Sequence, residues 1–271
     1  MKIIVIFLLM ITALASESFA SGHGPLFALS TPTNASGQWS IDFATLTIHD
    51  QENTGEVFRT VLSYGITQSF MLSVSAPFLA GQTESLTPAL GSYEAMATWK
   101  FQRKDRGVGS RYESMVFGGV NYAADQFGVL KLVEKTPGIQ FGGCTGWLSR
   151  KHYFWMGASY TIFPEKGGDK RPDLLFYSIA WGFRPDSWRK EYPGWDWRMF
   201  IEATGEKFGD LRINNLTLTD TDEHQLLVGP AILGQFKRIA VEAGIQAAVY
   251  RNTGLSTGER FRFGVTGVYY F

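Results

Sequence analysis

The sequence predicts an all-β chain, a closed antiparallel transmembrane β-barrel of about 12 strands with up-and-down topology. Three observations carry that prediction. Apolar and polar residues alternate with period two in many short runs, with almost no helical periodicity. Aromatic residues collect near the ends of the apolar faces, whereas the opposite faces carry charges in mid-strand. The chain closes on "ERFRFGVTGVYYF", which splits by parity: Phe261, Phe263, Val265, Tyr269 and Phe271 point one way, Arg260 and Arg262 the other.

The chain has 271 residues, enough for one large all-β domain, with no linker or repeat to divide it. Basic and acidic residues balance at 25 each, so no global field draws nucleic acid or an anionic membrane surface. Charged residues make up 18% and aromatic residues 15%, alongside 30 glycines. A single cysteine, Cys144, excludes an intrachain disulfide framework and a metal site built from several thiolates. Mean hydropathy near zero argues against a bundle of transmembrane helices.

Residues 1–20, "MKIIVIFLLMITALASESFA", have the layout of a secretory signal peptide: one lysine, an apolar run from Ile3 to Leu14, and a small-x-small site ending at Ala20. Cleavage is expected there. Residues 21–37, "SGHGPLFALSTPTNASG", are too rich in Gly, Pro, Ser and Asn for regular structure. They are a candidate periplasmic plug anchored by Leu26 and Phe27, or else a frayed leader. Residues 38–271 are the expected barrel.

The first strand, Gln38 to Ile48, puts Trp39, Ile41 and Phe43 on one face. "EVFRTVLSYGI" opposes Phe58, Leu62, Tyr64 and Ile66 to Arg59 and Ser63, and "FMLSVSAPF" follows a tight turn near Thr67-Gln68. "SYEAMATWKF" sets Tyr93, Trp99 and Phe101 against Glu94 and Lys100. "RYESMVFGGVNY" and "GIQFGGCTGW" are glycine-rich but keep the rhythm, and "YFWMGASYTIF" is aromatic on both faces, which leaves its orientation open. "LLFYSIAWGF" and "WRMFIEATGE" alternate again. "HQLLVGPAIL" contains Pro230, which costs a ladder hydrogen bond and predicts a bulge or a strand end. "IAVEAGIQAAVY" and the C-terminal run complete the set. Connections after odd strands, such as Lys207 to Thr221, are long and polar; those after even strands are mostly tight, Arg184 to Asp196 excepted. That asymmetry marks an extracellular and a periplasmic end.

The inward faces hold Arg59, Lys100, Arg198, Arg260 and Arg262 against Glu94, Glu113, Glu202 and Glu242. These are the lumen or constriction candidates. Opposed charges would orient dipolar solutes in an open pore, or hold a plugged barrel shut as interior ion pairs. The arginines of the last strand are expected beside Glu242 on its neighbour.

The aromatic C-terminus resembles that of bacterial outer-membrane β-barrel proteins, where such a strand is the signal read by the barrel-assembly machinery. Here Phe261, Phe263, Val265, Tyr269 and Phe271 fill the pattern. The early mature chain also resembles the transporter family named for the meta-pathway of phenol degradation. Gly24 to Phe27, Thr31 to Thr33, Arg59, Ser63 to Thr67 and Leu72 to Phe78 carry that likeness over about the first quarter of the mature chain. The resemblance implies an outer-membrane channel for aromatic or other hydrophobic small molecules, in contact with outer-membrane lipid, and brings no catalytic residues.

An enzymatic reading finds no foothold in the motifs. None of His23, His49, His152 and His224 has a serine two residues later, as outer-membrane phospholipases do, and neither G-x-S-x-G nor H-E-x-x-H is present. Asp210, Asp220, Asp222, Glu223 and His224 read as a solvated acidic loop rather than a cation site. Neither a cofactor nor a catalytic centre is expected. The alternatives to a channel are a lipase- or protease-like barrel and a closed barrel acting through its loops.

Overall fold

The computed structural model describes residues 24–49, 54–81, 92–123, 133–188, 194–219, 221–252 and 259–271. The expected signal peptide lies outside them. The barrel begins with β1 (Trp39–His49), β2 (Thr54–Thr67), β3 (Phe70–Gly81), β4 (Ser92–Asp105) and β5 (Arg111–Ala123). It continues through β6 (Gly138–Leu148), β7 (His152–Ile162), β8 (Leu174–Phe183) and β9 (Asp196–Phe208). After a small hairpin, β10 (Leu211–Ile213) and β11 (Leu216–Leu218), it ends with β12 (Glu223–Phe236), β13 (Ile239–Asn252) and β14 (Phe261–Tyr270).

Twelve of these strands pair antiparallel with their neighbours, and β14 closes the barrel on β1 from Ser40↔Tyr270 to His49↔Phe261. Trp39 N–H donates to Phe271 O at 2.9 Å and Phe271 N–H to Trp39 O at 3.0 Å, so the last residue is tied into the first strand. Closure leaves no unpaired edge, the condition for a sheet in lipid. The even count brings both ends of the barrel chain to the side of the tight turns, among them Gln68-Ser69 and Lys237-Arg238.

Burial follows parity, inverted relative to a soluble protein. Phe43, Trp99 and Ile139 are 59%, 55% and 53% exposed on the outer wall, whereas Glu202 is 0% and Trp155 1% exposed inside. Such an apolar surface wrapped around a polar interior is stable in a bilayer and not in water. The doubly aromatic β7 resolves with Phe154 and Met156 outward and Tyr153 and Trp155 inward.

Two expectations need correction. Pro230 does not end its strand: β12 runs through it, with Pro230 exposed and in register with Ile201 of β9. The missing N–H falls on the β13 side, where pairing skips from Val228↔Ala247 to Ala231↔Gly244, and the register shift sits earlier, between Leu226 and Leu227. The connection Lys207 to Thr221 is not all loop, because β9 extends to Phe208 and β10–β11 follow. Asn214 and Asn215 form that two-residue turn with φ of 52° and 66°, the left-handed pair a type I′ hairpin requires. The hairpin packs over Val133, Leu174 and Phe208 as a second apolar cluster at the long-loop end.

Candidate functional site

The lumen is occupied in part by the chain's own segment, residues 24–37. It leaves β1 at the tight-turn end, where Gly37 N–H donates to Gly65 O at 2.7 Å and Thr33 Oγ1 donates to Gln68 O at 3.1 Å. A methyl group on Gly65 would stand 2.1 Å from Ala35 O, so this approach requires glycine. Farther in, Thr31 Oγ1 donates to Glu113 Oε2 at 3.0 Å and accepts from Trp155 Nε1 at 3.1 Å. Leu29 N–H donates to Ser178 Oγ at 3.0 Å. The backbone amides of Leu26, Phe27 and Ala28 then converge on the Glu202 carboxylate at 2.9, 2.7 and 2.9 Å. Successive amides aimed at one anion form a nest, and each bond is charge-assisted. The side chains of Leu26 and Phe27 rest on Gly244 and Gly264, where a methyl would stand 2.9 and 3.0 Å from the Phe27 ring.

The charged residues singled out from sequence fall into separate groups. Arg59 pairs with Glu94, with Ser75 Oγ 3.2 Å from Arg59 Nη2. Lys100 Nζ lies 3.4 Å, and Arg111 Nε 3.0 Å, from Glu113 Oε1. Arg198 shares Asp196 with Arg184, at 2.8 and 2.6 Å, and stacks on Tyr153. Glu242 is buried within electrostatic reach of Glu202, Asp42 and Arg198. Arg262 is held by Glu206 at 2.9 Å and Glu259 at 2.8 Å, all three buried.

Two placements differ from expectation. Arg262 is not beside Glu242: it faces Gln246, while Glu242 faces Thr266, four residues or about 13 Å along the strand. Arg260 is exposed at the rim, in the bend before β14, so the parity that turns Arg262 inward does not reach it. Phe261, Phe263, Val265 and Phe271 are exposed on the outer wall, and Tyr269 stacks on Phe271 with ring centroids 6.0 Å apart. Sequence reasoning missed Thr31, Asp42, Ser178, Arg171 and Gln246. Asp42, Ser178 and Gln246, inward polar residues on alternating strands, carried a signal that could have found them.

Space remains in two parts of the lumen. A cavity of about 500 Å³ runs beside the inner segment, walled by Leu46, Val57, Met71, Met96, Met115 and Phe117, with Arg59 and Glu94 as polar points. A second cavity of about 780 Å³ opens at the tight-turn end, lined by Arg103, Arg111, Arg150, Arg184, Arg198 and Asp105. Thr31, Lys100 and Glu113 line neither and are buried. Trp155, which lines the second cavity, donates to Thr31.

The histidines sit at the rims. His49 Nδ1 is 2.9 Å from Thr54 Oγ1 and its ring stacks on Phe261; His152 lies against Trp181 and Phe183; His224 Nε2 is 2.8 Å from Tyr177 OH. His23 and Asp220 lie outside the described residues. Among the described residues no group of three His, Cys, Asp or Glu is placed to hold a metal ion. Cys144 is buried in the apolar cluster with Met115 and Trp155.

No protein-family model matches the chain, and no curated protein matches its sequence. Solved structures do match its fold. The COG4313 outer membrane channel from Pseudomonas putida F1 superposes with a TM-score of 0.63 at 12% identity, over 92% of this chain and 100% of that one. The NanC porin superposes with a TM-score of 0.54 at 6% identity, over 84% of this chain and 98% of that one. The chain therefore has the fold of bacterial outer-membrane channel barrels.

Proposed function

We propose that the chain is an outer-membrane channel through which small solutes diffuse passively, along a lumen narrowed by residues 24–37. The tight-turn end is periplasmic, the leader is a cleaved signal peptide, and the aromatic residues Phe261 to Phe271 are read by the barrel-assembly machinery. No cofactor or catalytic step is involved. The observation that carries this reading is the pair of lumenal cavities, one walled in part by the inner segment and the other by arginines at the tight-turn end. A barrel serving only as a scaffold has no use for such spaces. The methionine-rich wall of the 500 Å³ chamber suits hydrophobic solutes, in keeping with the resemblance to the phenol meta-pathway transporters. Conductance in planar bilayers tests the reading. Deletion of residues 21–37 is expected to raise single-channel conductance severalfold over the parent, and no conductance from either protein would refute it.

A further inference from the structure

Among the described residues, no counter-charge meets one buried cation at the long-loop end. Arg171 lies in the connection between β7 and β8, is 2% exposed, and its Nε and Nη1 have no hydrogen-bond partner. Its guanidinium stacks on the Phe163 ring at 4.4 Å. Arg262, equally buried, is saturated by Glu206 and Glu259, so the absence of a carboxylate at Arg171 is particular to that position. An uncompensated buried charge costs several kcal/mol, and a site that tolerates it commonly serves a ligand. Burial pushes this guanidinium down only to about 10, so it remains a cation at neutral pH.

Its surroundings are also unsatisfied. Thr136 Oγ1 and Asn121 Oδ1 are buried without hydrogen-bond partners. Asn121 and the Phe163 ring meet over Gly138, where a methyl would stand 2.4 Å from Asn121 Oδ1 and 2.7 Å from Phe163 Cε1. Thr136 lies two residues before Gly138. On the other side, Gln140 and Leu174 already line the 500 Å³ chamber, together with Phe176, Met115 and Phe117. Arg171 does not itself line that chamber; Leu174, three residues farther along the chain, does.

We propose that Arg171, stacked on Phe163 and with the unsatisfied Thr136 and Asn121 at the same end of the barrel, is the recognition point for the carboxylate of a small organic monoacid entering the lumen. A planar carboxylate matches the guanidinium fork and supplies one negative charge for one positive. The Thr136 hydroxyl donates to the same group, and the Asn121 amide presents its NH2 once turned over. The apolar body of the acid extends toward Leu174, Phe176 and the methionines. The proposal rests on the channel reading for the route by which the acid arrives; the binding site itself can be measured apart from conduction.

The test is isothermal titration of the detergent-solubilised mature protein with hexanoate, with hexylammonium as control, beside thermal unfolding. The parent is expected to bind hexanoate and not hexylammonium. Arg171→Met is expected to weaken hexanoate at least tenfold while unfolding no earlier than the parent, because the variant removes an unpaired charge. Equal binding by Arg171→Met, or no hexanoate binding by the parent, would overturn the proposal. Earlier unfolding of Arg171→Met with hexanoate binding unchanged would show a purely structural cation. If Arg171→Met does not assemble, Thr136→Val decides: about threefold weaker hexanoate binding supports the site, and unchanged binding rejects it. Conductance without hexanoate binding removes the site and leaves the channel, and binding without conductance does the reverse.

Discussion

Two lumenal glutamates on opposite sides of the barrel, Glu94 half-buried and Glu202 buried, are satisfied in different ways. On β4, Glu94 is held by Arg59 and Ser75, both residues of the barrel wall. On β9, Glu202 gives its carboxylate to three backbone amides of the inner segment. A carboxylate neutralised by the wall closes on itself and leaves the adjacent space open, and Glu94 lines the 500 Å³ chamber. A carboxylate satisfied by the inner segment fixes that segment, and Ser178, Gly244 and Gly264 complete its seat. One side of the lumen keeps open space and the other holds the inner segment.

Substitutions that strip each kind of partner sharpen this contrast. The largest effect on stability is expected from Arg262→Ala, because Glu206 belongs to the wall-neutralised kind and would lose its cation together with Glu259. Breaking a buried pair from one side costs about 3–5 kcal/mol, so the variant should unfold at markedly lower denaturant than the parent. A smaller effect is expected from Gly244→Ala. Its methyl would stand 2.9 Å from the Phe27 ring and 2.8 Å from Ala231 Cβ, an overpacking worth about 1–3 kcal/mol. Because the methyl meets both the Phe27 ring and the β12 wall, it should raise single-channel conductance modestly and lower barrel stability by no more than that strain. A Gly244→Ala conductance equal to the parent's would mean that the seat of Phe27 does not hold the segment.

Legibility from sequence followed the reach of period two. Strand number, closure and the facing of Trp99, Glu94, Glu202 and Phe263 could be read, because each depends only on parity within one strand. Register could not: whether Arg262 meets Glu242 or Gln246 depends on how far two strands slide, which parity leaves free in steps of two. Parity also stops where the strand stops, which is why Arg260 was placed inward and lies at the rim. The inner segment reads from sequence as a plug or a leader, but the way it is anchored is hidden for a different reason. Its strongest contacts are backbone amides of Leu26, Phe27 and Ala28, and an amide leaves no trace in residue type. The Asn214-Asn215 turn was the opposite case, a left-handed pair signalled in plain letters inside a segment read as loop.

The account turns on Glu202 as the latch of the inner segment, and single-channel conductance of Glu202→Ala measures it most directly, with Glu94→Ala as the wall-side control. Removing the acceptor of three amides is predicted to release residues 24–29 and raise conductance severalfold, toward that of the protein lacking residues 21–37, while Glu94→Ala stays near the parent. A Glu202→Ala channel with parental conductance, or one matched by Glu94→Ala, would contradict it.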